Sequence, residues 1–187
     1  YGAICVESMV APGLDFRSTF RTNAEAAGHL MRRFRSAKAC LVMSTCGVYA
    51  SPADAHHAIR EDDPLGGSPQ PYSPTYCASK IAEEAVACFA AEAYGLPTVI
   101  ARMNVAYGDN GGLPAMLADM ILAGQTIPLL AGRDPVCSPI HEDDIFAHTP
   151  GLLAAASVPA TITNWGGDEP VDVRELGGDF PRPDRSA

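Results

Sequence analysis

Tyr76-Cys77-Ala78-Ser79-Lys80 places a phenol and an ammonium four residues apart. On a helix those positions share a face, so the two groups can converge. A tyrosine exchanges protons poorly at neutral pH, since its ordinary pKa is about 10. A cation beside it favours the phenolate and draws that value towards working pH. Y-x-x-x-K alone is common, and the spacing equally describes a surface lysine one turn from a half-buried tyrosine. The neighbouring segments favour the chemical reading. Upstream, an apolar run at 39–43 leads into Ser44-Thr45-Cys46-Gly47-Val48-Tyr49. A hydroxyl there stands at the carboxyl end of a strand, where open parallel sheets bind their ligands. Downstream, Arg102-Met103-Asn104-Val105-Ala106-Tyr107-Gly108 leaves the next strand at the same edge.

The elements that must position these residues alternate between helical and strand patterns. Asn23 can cap a helix whose Ala27, Leu30, Met31 and Phe34 fall at i, i+3, i+4 and i+7. The run at 39–43 reads as a strand buried on both faces, and residues 50–72 as loop. Ser73-Pro74 supplies an N-cap and a proline at N1. The helix behind it shows Ala78, Ile81, Ala82, Ala85, Val86 and Phe89 as its apolar face, with Gly95 and Pro97 as stop signals. A strand is predicted over 98–103, a flexible loop over 108–112, and a helix carrying Leu113, Met116, Leu117, Met120 and Ile121 up to Gly124. Residues 127–130 and 160–165 are further strands, separated by a helix near 143–157. This alternation predicts a parallel α/β sheet.

Composition narrows the function. The 187 residues are 47% hydrophobic and 19% charged, with net charge −9, so the chain can bury a real core. The acidic balance makes nucleic-acid and anionic-membrane partners poor expectations. No apolar run reaches membrane-spanning length and no signal-peptide pattern opens the chain. Cys5, Cys40, Cys46, Cys77, Cys88 and Cys137 have no metal spacing; they read as buried thiols in a reducing, cytoplasmic compartment. Only two lysines exist, Lys38 and Lys80, and one of them falls in the candidate site.

The ordered set of motifs resembles the extended short-chain dehydrogenase/reductases, the NAD-dependent epimerase/dehydratase group. That family shows S-[ST]-x-x-V-Y-G, then Y-x-x-x-K, then R-x-x-N-V-Y-G-P. Here these stand as Ser44 to Ala50, Tyr76 to Lys80, and Arg102 to Gly108 with Asp109 in place of proline. Asn23, Ile140-His141-Glu142-Asp143-Asp144-Ile145 and Asn164-Trp165-Gly166-Gly167-Asp168-Glu169-Pro170 extend the match over about residues 20–176.

The resemblance implies a Rossmann-like, doubly wound parallel sheet, NAD or NADP as cofactor, and a small-molecule substrate bearing a hydroxyl or carbonyl, sugar-like or another alcohol. It implies Tyr76 as general acid/base, Lys80 as the group that holds the nicotinamide ribose and lowers the Tyr76 pKa, and Thr45 as a hydrogen-bond donor to the reacting oxygen. Asn23 would support the cofactor side. Met43, Ser44 and Met103 join Tyr76 and Lys80 as cofactor-binding residues, and Cys46 and Asn104 join Thr45 on the substrate side. Epimerase, dehydratase and plain dehydrogenase remain open.

Departures set limits on these expectations. No G-x-x-G-x-x-G occurs, and the acidic residue that reads the adenosine ribose has no candidate. Residues Ala3 to Ser8 look like an altered H-x-A-A strand end. The sequence is thus expected to enter the family after about its third strand, so that residues 1–110 form a partial dinucleotide-binding core carrying the catalytic motifs. Residues 111–187 are then a mixed segment with a substrate-side helix, a late core strand and a truncated carboxyl-terminal region. The isolated chain should bind dinucleotide poorly, because the glycine turn that holds a pyrophosphate is missing. Cys137 stands where many nucleotide-sugar enzymes carry arginine, which weighs against a diphosphate-sugar substrate. A non-enzymatic nucleotide-binding or scaffold relative, or an inactive fragment, is the competing reading.

Other residues carry blander expectations. His141-Glu142-Asp143-Asp144 reads as a helix start favoured by the dipole rather than as a metal cluster. His56-His57 is taken as a solvated loop pair. Cys46 and Cys77 are taken as packing residues without a base to activate them. Arg32, Arg33, Arg35 and Lys38 read as a solvated helix end. The Ala-rich helix at 81–93 is open between a solvent face and a homodimer contact.

Overall fold

The structure is a computed structural model that describes residues 16–54, 57–67, 75–109, 111–125 and 136–172. The elements run α1 (Phe16–Phe20), a π-helical turn (Arg21–Glu25), α2 (Ala26–Arg33), β1 (Cys40–Thr45), a 3-10 turn (Cys46–Val48), α3 (Tyr76–Tyr94) and β2 (Thr98–Met103). They continue with β3 (Ala106–Gly108), β4 (Gly111–Gly112), α4 (Leu113–Leu122), β5 (Val136–Cys137), β6 (Ile140–His141), α5 (Glu142–Ala154), β7 (Thr161–Trp165) and β8 (Val171–Asp172). The cap at Ser73-Pro74, the strand at 127–130, Cys5, His56 and the altered motif at Ala3 to Ser8 lie outside the described residues.

The chain forms two compact units. Among the described residues the first contains 16–51, 59–67, 75–103 and 148–165, and is built on a parallel sheet of order β1-β2-β7. This is a Rossmann-like α/β arrangement, and β7 reaches it from far along the sequence. β1 and β2 are parallel neighbours joined through α3, so α3 must run back against the strand direction, which brings its amino-terminal turn to the edge where both strands end. β2 is buried along Val99, Ile100 and Ala101, as a central strand requires. β1 differs from the expectation of burial on both faces. Its burial alternates, with Val42 and Ser44 inside and Leu41, Met43 and Thr45 half-buried, because successive side chains of a strand point to opposite faces of the sheet and the two faces are unequally covered. The core is Met31, Val42, Ala87, Ala90, Ala91, Leu96 and Ile100.

α3 exposes much of the face that sequence patterning turned inward. Ala78, Ala85 and Phe89 are exposed, while Cys77, Ser79, Lys80, Glu83, Glu84, Ala87, Ala90 and Ala91 are buried. The helix is alanine-rich on all sides, so apolar periodicity discriminates poorly. Paired charges let the other face go inside. Gly95 at φ +59 ends the helix in the left-handed conformation, as its sequence position predicts. Asn23 is not an N-cap. It is fully buried inside the π-helical turn that joins α1 to α2, the kind of local distortion that often carries function.

Among the described residues the second unit contains 52–54, 57–58, 104–109, 111–125, 136–147 and 166–172. In it β3 pairs parallel with β6 and antiparallel with β4, and β5 pairs antiparallel with β8. The loop expected around Gly108 therefore carries a short hairpin. α4 follows with proline in its first turn and stops at Ala123. α5 begins with Glu142, Asp143 and Asp144, whose charges suit the positive end of the helix dipole.

Candidate active site

Three strand ends lie side by side in the first unit. Register places Thr45 beside Met103, and Met103 beside Trp165. Met43 lies two residues back in β1, half-buried. Thr45 accepts a hydrogen bond from the Gly47 backbone N–H at 3.1 Å, which shapes the 3-10 turn. Accepting there leaves the Thr45 O–H proton for donation.

Tyr76 opens α3 half-buried, and Lys80 follows one turn on, 4% exposed. The first turn of α3 is fixed by two polar links to the preceding helices. Thr75 Oγ1 donates to Thr19 Oγ1 at 3.2 Å, and Asn23 Nδ2 donates to Ser79 Oγ at 2.9 Å. Ser79 in turn donates to the Tyr76 carbonyl at 2.7 Å. Asn23 thus reaches the backbone of Tyr76 through Ser79, and its own Oδ1 is buried without a hydrogen-bond partner. A buried ammonium needs a counter-charge, and Lys80 takes Glu83 on the same helix. Burial pushes the Glu83 carboxyl above its ordinary range, against the opposing pull of Lys80.

Beneath the strand ends lies a polar network that sequence reasoning missed. Arg102 Nε meets Glu84 Oε1 at 3.0 Å and Arg102 Nη2 meets Glu84 Oε2 at 2.8 Å. Ser44 Oγ donates to the same Oε1 at 2.5 Å, so the Ser44 hydroxyl is committed to the helix. Arg102 Nη1 also donates to Tyr49 Oη at 2.8 Å and to the Glu61 carbonyl at 2.9 Å. Tyr49 donates to Asn164 Oδ1 at 2.6 Å, and the Asn164 backbone N–H meets Glu61 Oε1 at 2.8 Å. That N–H bond is the main cause holding the Glu61 carboxyl below its ordinary range. Burial would lower the Arg102 pKa, but the bonds from Glu84 and Tyr49 outweigh it and raise it. One signal was available in the sequence: an arginine inside an apolar strand demands a buried partner.

Cys46 Sγ donates to the Arg102 carbonyl at 3.1 Å. Burial pushes its thiol up to about 11, so it is no thiolate at neutral pH. Asn104 belongs to the second unit, where its Oδ1 accepts from the backbone N–H groups of Val105 (2.9 Å) and Ser138 (3.2 Å). Cys137 is buried there opposite Val171. His141 Nδ1 accepts from the Asp143 backbone N–H at 3.3 Å. No cluster of three metal-ligating side chains occurs among the described residues, and none of their helices is long and apolar enough to cross a membrane.

The donor set suits one half of a dinucleotide. Tyr76 and Lys80 stand one turn apart at the start of α3, and Asn23, whose buried Oδ1 lacks a hydrogen-bond partner, bonds Ser79 between them; phenol, ammonium and amide oxygen are groups of the kind that bind ribose hydroxyls and a nicotinamide. The pyrophosphate half has no glycine turn to receive it in this sequence.

Comparison with known proteins agrees with this architecture. The family model described as the NAD dependent epimerase/dehydratase family matches residues 9–149, and the chain belongs to that family. No curated protein matches. Among solved structures, the chain is similar to DesIV, a dTDP-glucose 4,6-dehydratase from Streptomyces venezuelae solved with NAD and TYD bound. The two are 27% identical with TM-score 0.69, over 85% of this chain and 48% of that one. A dTDP-glucose 4,6-dehydratase from Bacillus anthracis in complex with NAD shares 21% identity, TM-score 0.70, over 90% and 54%. A UDP-glucuronic acid 4-epimerase from Bacillus cereus shares 20%, TM-score 0.69, over 91% and 56%. The last two show the shared fold. The chain spans about half the length of these structures.

Proposed function

We propose that this chain carries the catalytic half of an NAD(P)-dependent epimerase, dehydratase or dehydrogenase, acting on a hydroxyl or carbonyl carbon of a sugar-like small molecule. The observation that carries this reading is the placement of Tyr76 and buried Lys80 on the first turns of a helix that starts where β1 and β2 end. Tyr76 takes the proton of the substrate hydroxyl during oxidation and returns one during reduction. Lys80 stabilises the phenolate and binds ribose hydroxyls. Thr45 donates its O–H to the reacting oxygen. Asn23 steadies the turn through Ser79 and offers its Oδ1 to a ribose or water donor. Met43 and Met103 line the nicotinamide side, Ser44 contributes there through its backbone, and Cys46 borders the substrate. When bound, a nicotinamide supplies the acceptance and return of hydride. A diphosphate-sugar substrate is favoured by the DesIV likeness, although Cys137 lacks the charge an arginine would bring.

The test is turnover by the full-length protein with NAD or NADP and a panel of dTDP-glucose, UDP-glucuronic acid and simple alcohols. Tyr76→Phe is expected to cut turnover about 10²–10⁴-fold, the usual worth of a positioned acid/base, while dinucleotide binding persists. Unchanged turnover would remove Tyr76 from the chemistry. Dinucleotide binding without turnover on any substrate would favour a nucleotide-binding scaffold.

A further inference from the structure

We propose that Glu83 is the counter-charge that positions the Lys80 ammonium and sets the proton affinity of Tyr76. The proposal deepens the reading of Tyr76 and Lys80 given above and rests on it. Positions 76, 80 and 83 fall at i, i+4 and i+7, one stripe of α3. Lys80 and Glu83 pair on that stripe with side chains 5% and 6% exposed, so neither charge is screened by water as a surface pair is. The adjacent carboxylate, Glu84, is taken by Arg102 and Ser44. Glu83 is therefore the carboxylate that answers Lys80.

The other charges around α3 do not compete. On the helices packed against it, Arg17, Arg21, Glu25, His29, Arg32 and Arg33 are exposed. β2 contributes Arg102, which Glu84 binds. β1 contributes Cys40 and the turn after it Cys46, both thiols made harder to ionise by burial.

The consequence has a definite sign. Lys80 alone stabilises a Tyr76 phenolate. A carboxylate bound to that ammonium cancels part of its field and holds the ammonium towards residue 83. Two helical turns separate positions 76 and 83, about 10 Å along the axis. At an effective dielectric near 20, a full charge at that range moves a pKa by about one unit. Removing the Glu83 charge should therefore lower the Tyr76 pKa.

Ultraviolet difference titration of the phenol tests this without a substrate. Full-length protein is titrated against its Tyr76→Phe variant, with and without NAD as probe, and the same pair is made in Glu83→Gln. The expected result is a Tyr76 pKa about one unit lower in Glu83→Gln, and a value near wild type in Glu83→Asp, which keeps the charge. Glu83→Met, similar in volume and needing no hydrogen bond, replaces Glu83→Gln if the latter does not fold. An unchanged Tyr76 pKa would overturn the proposal. So would failure of both variants to fold while Lys80→Met folds, which would make Glu83 purely structural. Normal turnover by Tyr76→Phe would instead defeat the catalytic reading, so the two failures are separable.

Discussion

Arg102 and Glu84 join strand to helix through two hydrogen bonds, 3.0 and 2.8 Å, with side chains only 3% and 6% exposed. Because Glu84 also holds Ser44, and Arg102 also holds Tyr49 and the Glu61 carbonyl, this pair fixes α3 against the ends of β1 and β2. Thr45 follows Ser44 and Lys80 precedes Glu84 by one turn, so the geometry of the candidate site depends on it. Removing one partner leaves a buried charge uncompensated. Arg102→Met and Glu84→Leu should each cost about 3–5 kcal/mol, and the double variant less than the sum. Urea denaturation of the three proteins measures this; additive losses would show that the pair is not coupled.

Glu83 gives stability a particular pH dependence. Its carboxyl pKa is raised in the folded chain, mainly by burial. The folded state therefore holds the proton more tightly than the unfolded state. Its contribution is fully present below the ordinary carboxyl value, about 4.3, and is lost as pH rises through the folded value. Wild type should lose stability relative to Glu83→Gln as pH is raised from about 4 towards neutrality. Paired denaturation curves across that range check the sign; a difference constant with pH, or growing in favour of wild type, would contradict it.

Cys46 should be chemically quiet. With its thiol pushed up to about 11 and donating to the Arg102 carbonyl, iodoacetamide at pH 8 should leave it unmodified in the folded protein. The same treatment in denaturant should alkylate it. Mass spectrometry of the Cys46 peptide decides, and rapid native labelling would mean that the turn opens.

Two glycines separate backbone strain from crowding. Gly95 has φ +59 with open space around a Cβ, whereas Gly67 has φ +67 and a Cβ would stand 2.9 Å from Cβ of Cys77. Gly95→Ala should cost about 1 kcal/mol. Gly67→Ala should cost clearly more, since Cys77 is buried and cannot yield freely. Equal losses in urea denaturation would show that the segment at Gly67 relaxes.

The sequence made some features legible for physical reasons. The apolar runs that became β1 and β2, and the glycine stop after α3, are local signals whose meaning survives packing. The inward face of α3 was not legible. An alanine-rich helix has no strong apolar stripe, and the buried side was chosen by Lys80–Glu83 and Arg102–Glu84, the latter joining residues 18 positions apart. Asn23 stood out in the sequence only as a candidate cap and by resemblance, and its setting in a π-helical turn, reaching Tyr76 through Ser79, is a tertiary fact. Asn164, Tyr49 and Glu61 converge across more than a hundred residues, which no spacing rule encodes.

In the proposed function Tyr76 moves the proton that accompanies hydride transfer. A single-turnover experiment tests it most directly: full-length protein loaded with NAD is mixed with dTDP-glucose or whichever panel substrate turns over, and nicotinamide absorbance is followed. Wild type should show rapid formation of reduced nicotinamide. Tyr76→Phe, with NAD bound equally well, should show that step slowed about 10²–10⁴-fold. Hydride transfer at the wild-type rate in Tyr76→Phe would show that another group moves that proton.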